Sequence, residues 1–314
     1  MLSHISSEIK IVLLGILCLL ILSSLISFIL TKLKPDKDFS EINLRIKSWW
    51  LMASVFTIAI VIHHTVSLIF LAFICYLAFK EYLSLIPTNR AHRAILFWAY
   101  LAIPIQFYWI YIGWYGMFII FIPVYMFLFL PIQSILIGEN KGFLRTMGSV
   151  HWGLMIMVFG LSHLAYLLVL PGTTGIEAVS GSGLLLYIVI LTQCNDVAQF
   201  IWGKSFGKDK VVPKVSPNKT WEGLIGGILT TMVLAWFLAP LLTPLETWST
   251  LFTGFLIGLT GFIGDVNLSS LKRDLGIKDS GNTIPGHGGI LDRVDSLTYT
   301  APLFFHFIRY FYFV

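Results

Sequence analysis

"IVLLGILCLLILSSLISFILTKL", residues 11–33, is apolar apart from a few small polar residues and one lysine near its end. A helix needs about 20 apolar residues to cross the hydrocarbon core of a bilayer. The apolar core of a signal peptide is shorter, about 7–15 residues. No small-residue cleavage site follows this stretch. It therefore predicts a retained membrane-spanning helix.

Similar stretches recur along the chain of 314 residues, which is 57% hydrophobic, 12% charged and has a mean hydropathy of +0.84. Soluble domains carry about 25% charged residues. In a bilayer every backbone polar group needs an internal partner, so spans are helices or closed barrels, and continuous apolar runs indicate helices. We therefore predict an all-α, polytopic integral membrane protein of about nine or ten transmembrane helices. The candidate spans are residues 11–33, 48–65, 66–86, 94–112, 115–138, 150–171, 182–202, 221–243, 248–268 and 291–313.

Lysines and arginines fall in alternate loops between these spans. The odd-numbered loops hold them, whereas the even-numbered loops hold none. Because cytoplasmic loops are enriched in Lys and Arg, we predict that the odd-numbered loops face the cytoplasm, in a bacterial cytoplasmic membrane. With ten spans, both termini lie on the far side. These loops account for the net charge of +5, so nucleic acid is not an expected partner.

Polar motifs are concentrated in the second half of the chain. We treat residues 1–314 as a single membrane domain, in which residues 1–180 form an N-terminal helical half without catalytic motifs. Residues 190–302 form the predicted catalytic region, whose active site would face the cytoplasm.

Four carboxylates stand within or beside apolar runs of this region: Asp196, Asp265, Asp292 and Asp295. A carboxylate at membrane depth costs a few kcal/mol or more, so it is rarely kept without a function or a partner. Asp292 and Asp295 share one face of a helix because they are three positions apart. Carboxylates that converge at helix ends suit Mg²⁺, which substrate phosphates usually complete. The alternative is a set of buried acids neutralised by Lys272, Arg273 and Arg293.

A basic loop, "GKSFGKDKVVPKVSPNKTWEGLIGG" at residues 203–227, precedes one predicted span. Ser216 followed by Pro217 predicts an N-cap and the first residue of a helix. Free N–H groups at such a helix start can bind an anion, and Lys219 and Thr220 would help to hold a phosphate. The alternative is an ordinary cytoplasmic loop with a common capping signal.

A second polar stretch, "KRDLGIKDSGNTIPGHGGILDRVD", occupies residues 272–295. Its glycines allow backbone amides to approach a ligand closely. Lys272, Arg273 and Lys278 supply positive charge, and His287 either donates to a phosphate or bridges loop groups. Cations, a glycine-rich turn and carboxylates in one loop are typical of a metal–polyphosphate site.

Residues 269–295 resemble the signature of the phosphatidate cytidylyltransferases, also called CDP-diacylglycerol synthases. The matching positions are Ser269, Lys272, Arg273, Lys278, Asp279, Gly281, Pro285, His287, Gly288, Gly289, Asp292, Arg293 and Asp295. The segment from Asn195 through "SPNKTWEGLIGG" is also similar, so the resemblance covers residues 195–302. One position departs from the family pattern, since Leu268 stands where an acid is common.

The resemblance implies that CTP and phosphatidate react to give CDP-diacylglycerol and pyrophosphate, with Mg²⁺ as cofactor. Asp265 and Asp292 would hold the metal, with Asp295 as a further ligand. The implied catalytic residues are Asp265, Lys272, Arg273, Asp292 and Asp295. The implied nucleotide-binding residues are Asp196, Ser216, Lys219, Thr220, Lys278 and His287, with Asp196 alternatively serving a second cation. Expected partners are CTP, phosphatidate and the lipid bilayer, with a homodimer as a candidate assembly.

Two other functions stay open at this stage. A CTP-dependent transferase for a different lipid phosphate would be consistent with the Leu268 departure. A secondary transporter could use the intramembrane aspartates as an ion path, although no internal repeat of the kind common in transporters is present. Intact Asp265, Lys272, Arg273 and Asp292 argue against a non-catalytic relative.

Overall fold

A computed structural model describes residues 6–34, 38–86, 93–138, 142–174, 180–281, 283–284 and 288–313. Over these residues the chain is helical, and its only strand-like pairings are two isolated bridges, Lys210 with Thr220 and Ile284 with Gly288. The predicted all-α class is therefore confirmed.

The helices are numbered here in chain order. They are α1 Ser7–Leu33, α2 Ser40–Ile62, α3 His64–Leu85, α4 Arg93–Tyr111, α5 Tyr115–Ile137, α6 Phe143–Gly172, α7 Gly181–Phe206, α8 Trp221–Leu242, α9 Thr247–Asp274, α10 Leu291–Val294 and α11 Leu297–Tyr312. Short π-helical segments, Phe121–Met126 and Leu154–Gly160, lie within α5 and α6.

Every predicted span coincides with a helix. Within the described part of the chain, eight helices are long and apolar enough to cross a membrane, namely α1–α3 and α5–α9. The described part of α4, Ile95–Tyr111, is apolar but shorter, and α11 has 16 residues. The last predicted span begins later than expected, because residues 291–294 form the separate short helix α10. The chain is an all-α, polytopic integral membrane protein.

Helices α7, α8 and α9 pack closely and carry much of the polar chemistry. Small residues permit the approach of α7 and α8, since a side chain at Gly226 would overlap Trp202 and one at Gly227 would overlap Gln199. Asn195, fully buried on α7, joins all three helices. Its amide donates to the Gly258 carbonyl of α9 at 3.2 Å and accepts from the α8 hydroxyl of Thr231 at 3.1 Å. This three-helix unit fixes where the neighbouring aspartates lie.

Candidate active site

Lys219 and Asp265 form an ion pair between the α7–α8 loop and α9. Their Nζ and Oδ2 atoms are 2.5 Å apart, and both side chains are mostly buried. Lys219 also donates to the Gln199 amide oxygen of α7 at 3.2 Å, and the Ser269 hydroxyl lies 3.3 Å from Asp265 Oδ1, one turn along α9. Lys219 of the loop therefore contacts Asp265, an aspartate within a membrane helix.

Two further carboxylates share this region with Lys219. Asp196 on α7 accepts from the Ser296 hydroxyl at 3.0 Å, and Asp295 is almost fully buried. Burial alone would lower the pKa of Lys219, but the negative charges of Asp265, Asp196 and Asp295 outweigh it and raise that pKa. Lys219 therefore stays charged, and one cation faces three acidic groups.

Lys272 and Asp292 form a second ion pair, with Nζ and Oδ1 2.8 Å apart and both side chains nearly buried. The other oxygen of Asp292 accepts from the Ser280 amide at 3.0 Å, the Ser280 hydroxyl at 2.9 Å and the Gly289 amide at 3.0 Å. Burial alone would raise the pKa of Asp292, but its bonds to Lys272 and to the amides lower that pKa. Asp292 is thus an ionised carboxylate that organises the loop before α10.

Glu81 of α3 reaches this same loop from the first half of the chain. Its carboxylate accepts from the Leu291 amide at 2.8 Å and from the Thr283 hydroxyl at 2.5 Å. The Ser280 hydroxyl lies 3.4 Å from Glu81 and also bonds Asp292. Two carboxylates from distant parts of the sequence therefore hold one loop.

The N-cap predicted at Ser216 is wrong. Helix α8 begins at Trp221, and its N-cap is Thr220, whose hydroxyl accepts from the Gly223 amide at 3.1 Å. Antiparallel pairing explains the later start, because the Val211 amide bonds the Lys219 carbonyl at 3.1 Å and the Trp221 amide bonds the Asp209 carbonyl at 2.9 Å. This pairing keeps residues 216–219 in a turn. Thr220 is buried, and its hydroxyl serves as the cap of α8.

Arg273 links the two polar loops. Its Nε donates to the Val215 carbonyl at 3.1 Å, and another guanidinium nitrogen donates to the Ile277 carbonyl at 3.2 Å. Arg273 therefore fastens the end of α9 to the α7–α8 loop. Lys278 is exposed on the loop that follows α9. Predicted ligand His287 lies outside the described residues.

The predicted metal ligands form two adjoining groups. Asp265 and Asp295 lie near Lys219 with Asp196, whereas Asp292 is bonded by Lys272 and the loop amides. The charge of Lys272 also acts on Asp295, so the groups are neighbours. Within the described ranges, no group of three His, Cys, Asp or Glu side chains is already arranged around a metal position. The donor chemistry nevertheless fits Mg²⁺, because carboxylate oxygens are its preferred protein ligands and the three acids around Lys219 outnumber the cation.

Comparison with known proteins identifies the family of the chain. A model of the cytidylyltransferase family matches residues 43–311, most of the chain. The chain belongs to this family. It is therefore a nucleotidyltransferase, an enzyme embedded in the membrane, and the transporter alternative is not retained.

Relatives of this cytidylyltransferase fall into two groups. An uncharacterised Escherichia coli protein, YnbB, is 47% identical over 292 residues, covering 93% of this chain and 95% of that protein. The phosphatidate cytidylyltransferase of Haemophilus influenzae is 44% identical over 42% of this chain and 46% of its own length. The enzyme of that name from Staphylococcus haemolyticus is 38% identical over 38% of this chain, again 46% of its own length. The chain thus spans less than half the length of these two phosphatidate cytidylyltransferases.

Sequence reasoning about this cytidylyltransferase missed Glu81. It lies in an apolar helix of the half predicted to lack catalytic motifs, and its partner Leu291 is 210 positions away. A charged pair, Lys80 and Glu81, interrupts an otherwise apolar stretch. That interruption was the available signal, since an acid near membrane depth is rarely kept without a partner.

Proposed function

We propose that this enzyme transfers CMP from CTP to phosphatidate, giving CDP-diacylglycerol and pyrophosphate. The observation that carries the proposal is the arrangement of two lysine–carboxylate pairs, Lys219 with Asp265 and Lys272 with Asp292. Both lie where membrane helices meet polar loops, so a lipid phosphate in the bilayer and a soluble nucleotide could reach one site. The names of the partial-length relatives support the same substrates.

In this reaction a phosphatidate oxygen forms a bond to the α-phosphorus of CTP, and the bond between the α-phosphorus and the bridging oxygen breaks. The nucleophile is already an anion, so no strong general base is required. Catalysis then consists mainly of bringing anions together and stabilising the departing pyrophosphate. Lys219 would hold nucleotide phosphates, and Lys272 would bind the lipid phosphate or the leaving group. Arg273 would keep the two loops together through its bonds to Val215 and Ile277.

Mg²⁺ is the proposed cofactor, held by Asp265 and Asp295, with Asp292 joining if Lys272 moves to a phosphate. Asp196 would serve a second cation or the nucleotide. Bound there, Mg²⁺ would neutralise charge on the phosphates and orient them. Ser216, Thr220, Lys278 and His287 stay predicted contributors to nucleotide binding, and Ser216 lies in the turn beside Lys219.

We place the site on the cytoplasmic face of a bacterial inner membrane. The loops that hold Lys219 and Lys272 are both rich in lysine, as cytoplasmic loops are, and CTP is a cytoplasmic nucleotide. A homodimer stays a prediction.

A second candidate is CMP transfer to a different lipid phosphate. One observation favours it. Leu268 of α9 is buried in the apolar core, at a position where the resembling enzymes commonly carry an acid. The two candidates differ only in the lipid acceptor.

The test uses purified protein in lipid nanodiscs with Mg²⁺, phosphatidate and CTP labelled on its base. With the wild type, label is expected in a lipid product. In Asp265→Asn the rate of label transfer should fall about 100-fold or more, because one preorganised electrostatic contact is typically worth that much. Asp274→Asn, an exposed aspartate on the same helix, is the matched control and should keep wild-type activity. Transfer to another lipid phosphate alone would favour the second candidate. No transfer to any lipid phosphate would refute both.

A further inference from the structure

Glu81 makes the strongest polar contact between the two halves of the chain that the proposed reaction does not explain. Two donors meet its carboxylate, the Leu291 amide and the Thr283 hydroxyl, and the Ser280 hydroxyl lies 3.4 Å away. The ion pairs among the described residues do not include Glu81. Hydrogen bonds to a carboxylate are stronger than those between neutral groups. All the groups that contact Glu81 here belong to one loop, so the contact is specific to that loop.

The loop sequence fits closely around this carboxylate. A side chain at Gly289 would overlap both Glu81 Oε2 and the Ser280 hydroxyl. At Gly281 an added carbon would come within 3.2 Å of Glu81 Oε1. Glycine at these two signature positions is therefore explained by an acidic side chain that arrives from α3.

Glu81 acts on the same atoms that position Asp292. The Ser280 hydroxyl lies between the two carboxylates, 2.9 Å from Asp292 and 3.4 Å from Glu81. Glu81 also bonds the amide of Leu291, the first residue of α10, and Asp292 is the next residue. The orientation of Asp292, and through it the Lys272 ion pair, depends on an anchor outside the signature.

We propose that Glu81 is a positioning residue, which holds Ser280, Thr283 and Leu291 of this loop in the arrangement that binds substrate. The proposal rests on the proposed function, because the loop follows directly on the segment to which that function assigns substrate binding, Lys278 for the nucleotide and Lys272 for the lipid phosphate or the departing pyrophosphate of CTP. Without Glu81 the loop would populate its binding-competent form less often. Apparent affinity falls in proportion to that population, whereas turnover of the bound complex does not.

Hydrogen exchange in nanodiscs tests the loop directly and needs no activity. In Glu81→Ala, the amides of Gly289 and Leu291 should exchange at least about tenfold faster than in wild type, because several hydrogen bonds are lost together. Exchange in α7 and α9 should not change. Lys80→Ala, at the exposed neighbouring position on α3, is the matched control and should behave as wild type. Unchanged exchange at Gly289 and Leu291 in Glu81→Ala would overturn the proposal.

Steady-state kinetics tests the consequence for the enzyme. Glu81→Ala should raise KM for CTP about tenfold and keep kcat within about threefold. Glu81→Gln, which keeps one acceptor oxygen, should recover part of the affinity. A fall in kcat at unchanged KM would overturn the positioning role, and so would kinetics identical to those of Lys80→Ala.

Two further outcomes are covered by the same design. If Glu81→Ala does not fold, Thr283→Val can replace it, because it removes one hydrogen bond to Glu81. Thr283→Val should raise KM for CTP by a smaller factor than Glu81→Ala. An unchanged KM would overturn the proposal. If the wild type transfers CMP to no lipid phosphate, the proposed function fails. Exchange at Gly289 and Leu291 then still decides whether Glu81 holds the loop.

Discussion

Lys219 pairs with Asp265, and the carboxyl groups of Asp196 and Asp295 also act on its charge. At the proposed site for metal and nucleotide, its positive charge would have two opposite effects. It would attract the nucleotide phosphates, and it would compete with a divalent cation for the same acids. At an effective dielectric constant near 20, such contacts are worth several kcal/mol.

We therefore expect Lys219→Met to raise KM for CTP about tenfold or more and to lower the Mg²⁺ concentration that gives half-maximal activity. Titrations of CTP and Mg²⁺ in the CMP-transfer assay measure both quantities. Lys208→Met, at an exposed lysine of the same loop, should change neither. A rise in the Mg²⁺ requirement would contradict the proposal that Lys219 competes with the metal for these acids.

Asp292 differs from Asp265 in how completely it is bonded. It is 8% exposed and holds Lys272, which is 12% exposed, together with the Ser280 and Gly289 amides. Breaking a buried ion pair by removing one partner's charge typically costs about 3–5 kcal/mol. We expect Asp292→Asn to lower the Tm of the solubilised protein clearly, in addition to lowering activity. Asp274→Asn should leave Tm unchanged, and an unchanged Tm for Asp292→Asn would show that the Lys272 pair is not formed.

At the scale of the helix, the start of α8 distinguishes two capping residues. Thr220 caps the helix through the Gly223 amide, whereas Ser216 lies in the preceding turn. Loss of an N-cap costs about 0.5–2 kcal/mol. Thr220→Ala should therefore lower Tm by about 1–8 °C, since 1 kcal/mol corresponds to about 2–4 °C in larger domains. Thr220→Ser and Ser216→Ala should both stay near wild type; a larger loss in Ser216→Ala would restore Ser216 as the cap.

Local pattern was enough to place the helices but not the contacts between loops. Apolar runs define membrane helices because the bilayer imposes their length and requires internal backbone bonds. The cap predicted at Ser216 is wrong because backbone pairing within the same loop, the bridge between Lys210 and Thr220, overrides a common local capping signal. The pairing of Lys219 with Asp265 and the approach of Glu81 to Leu291 depend on tertiary packing. Their residue types could be singled out from sequence, but their partners could not.

At the scale of the whole molecule, the α7–α8 loop and the loop after α9 meet through Arg273 and Val215. They must therefore lie on one side of the membrane, as expected when two spans, α8 and α9, separate them. The positive charge of these loops predicts that this side is the cytoplasm. The α8–α9 connection, which contains exposed Glu246, lies at the opposite end of both helices.

Vectorial labelling tests this orientation in a variant whose native cysteines, Cys18, Cys75 and Cys194, are replaced by alanine. Lys208→Cys and Lys278→Cys should react with a membrane-impermeant maleimide in inverted vesicles and not in right-side-out vesicles. Glu246→Cys should show the reverse pattern, because its loop bears no lysine or arginine. Opposite labelling of Lys208→Cys and Lys278→Cys would refute a shared site between their loops. If Lys208→Cys and Lys278→Cys both react from outside, the two loops still share one side of the membrane. That side would then lack access to cytoplasmic CTP, which would contradict the proposed reaction.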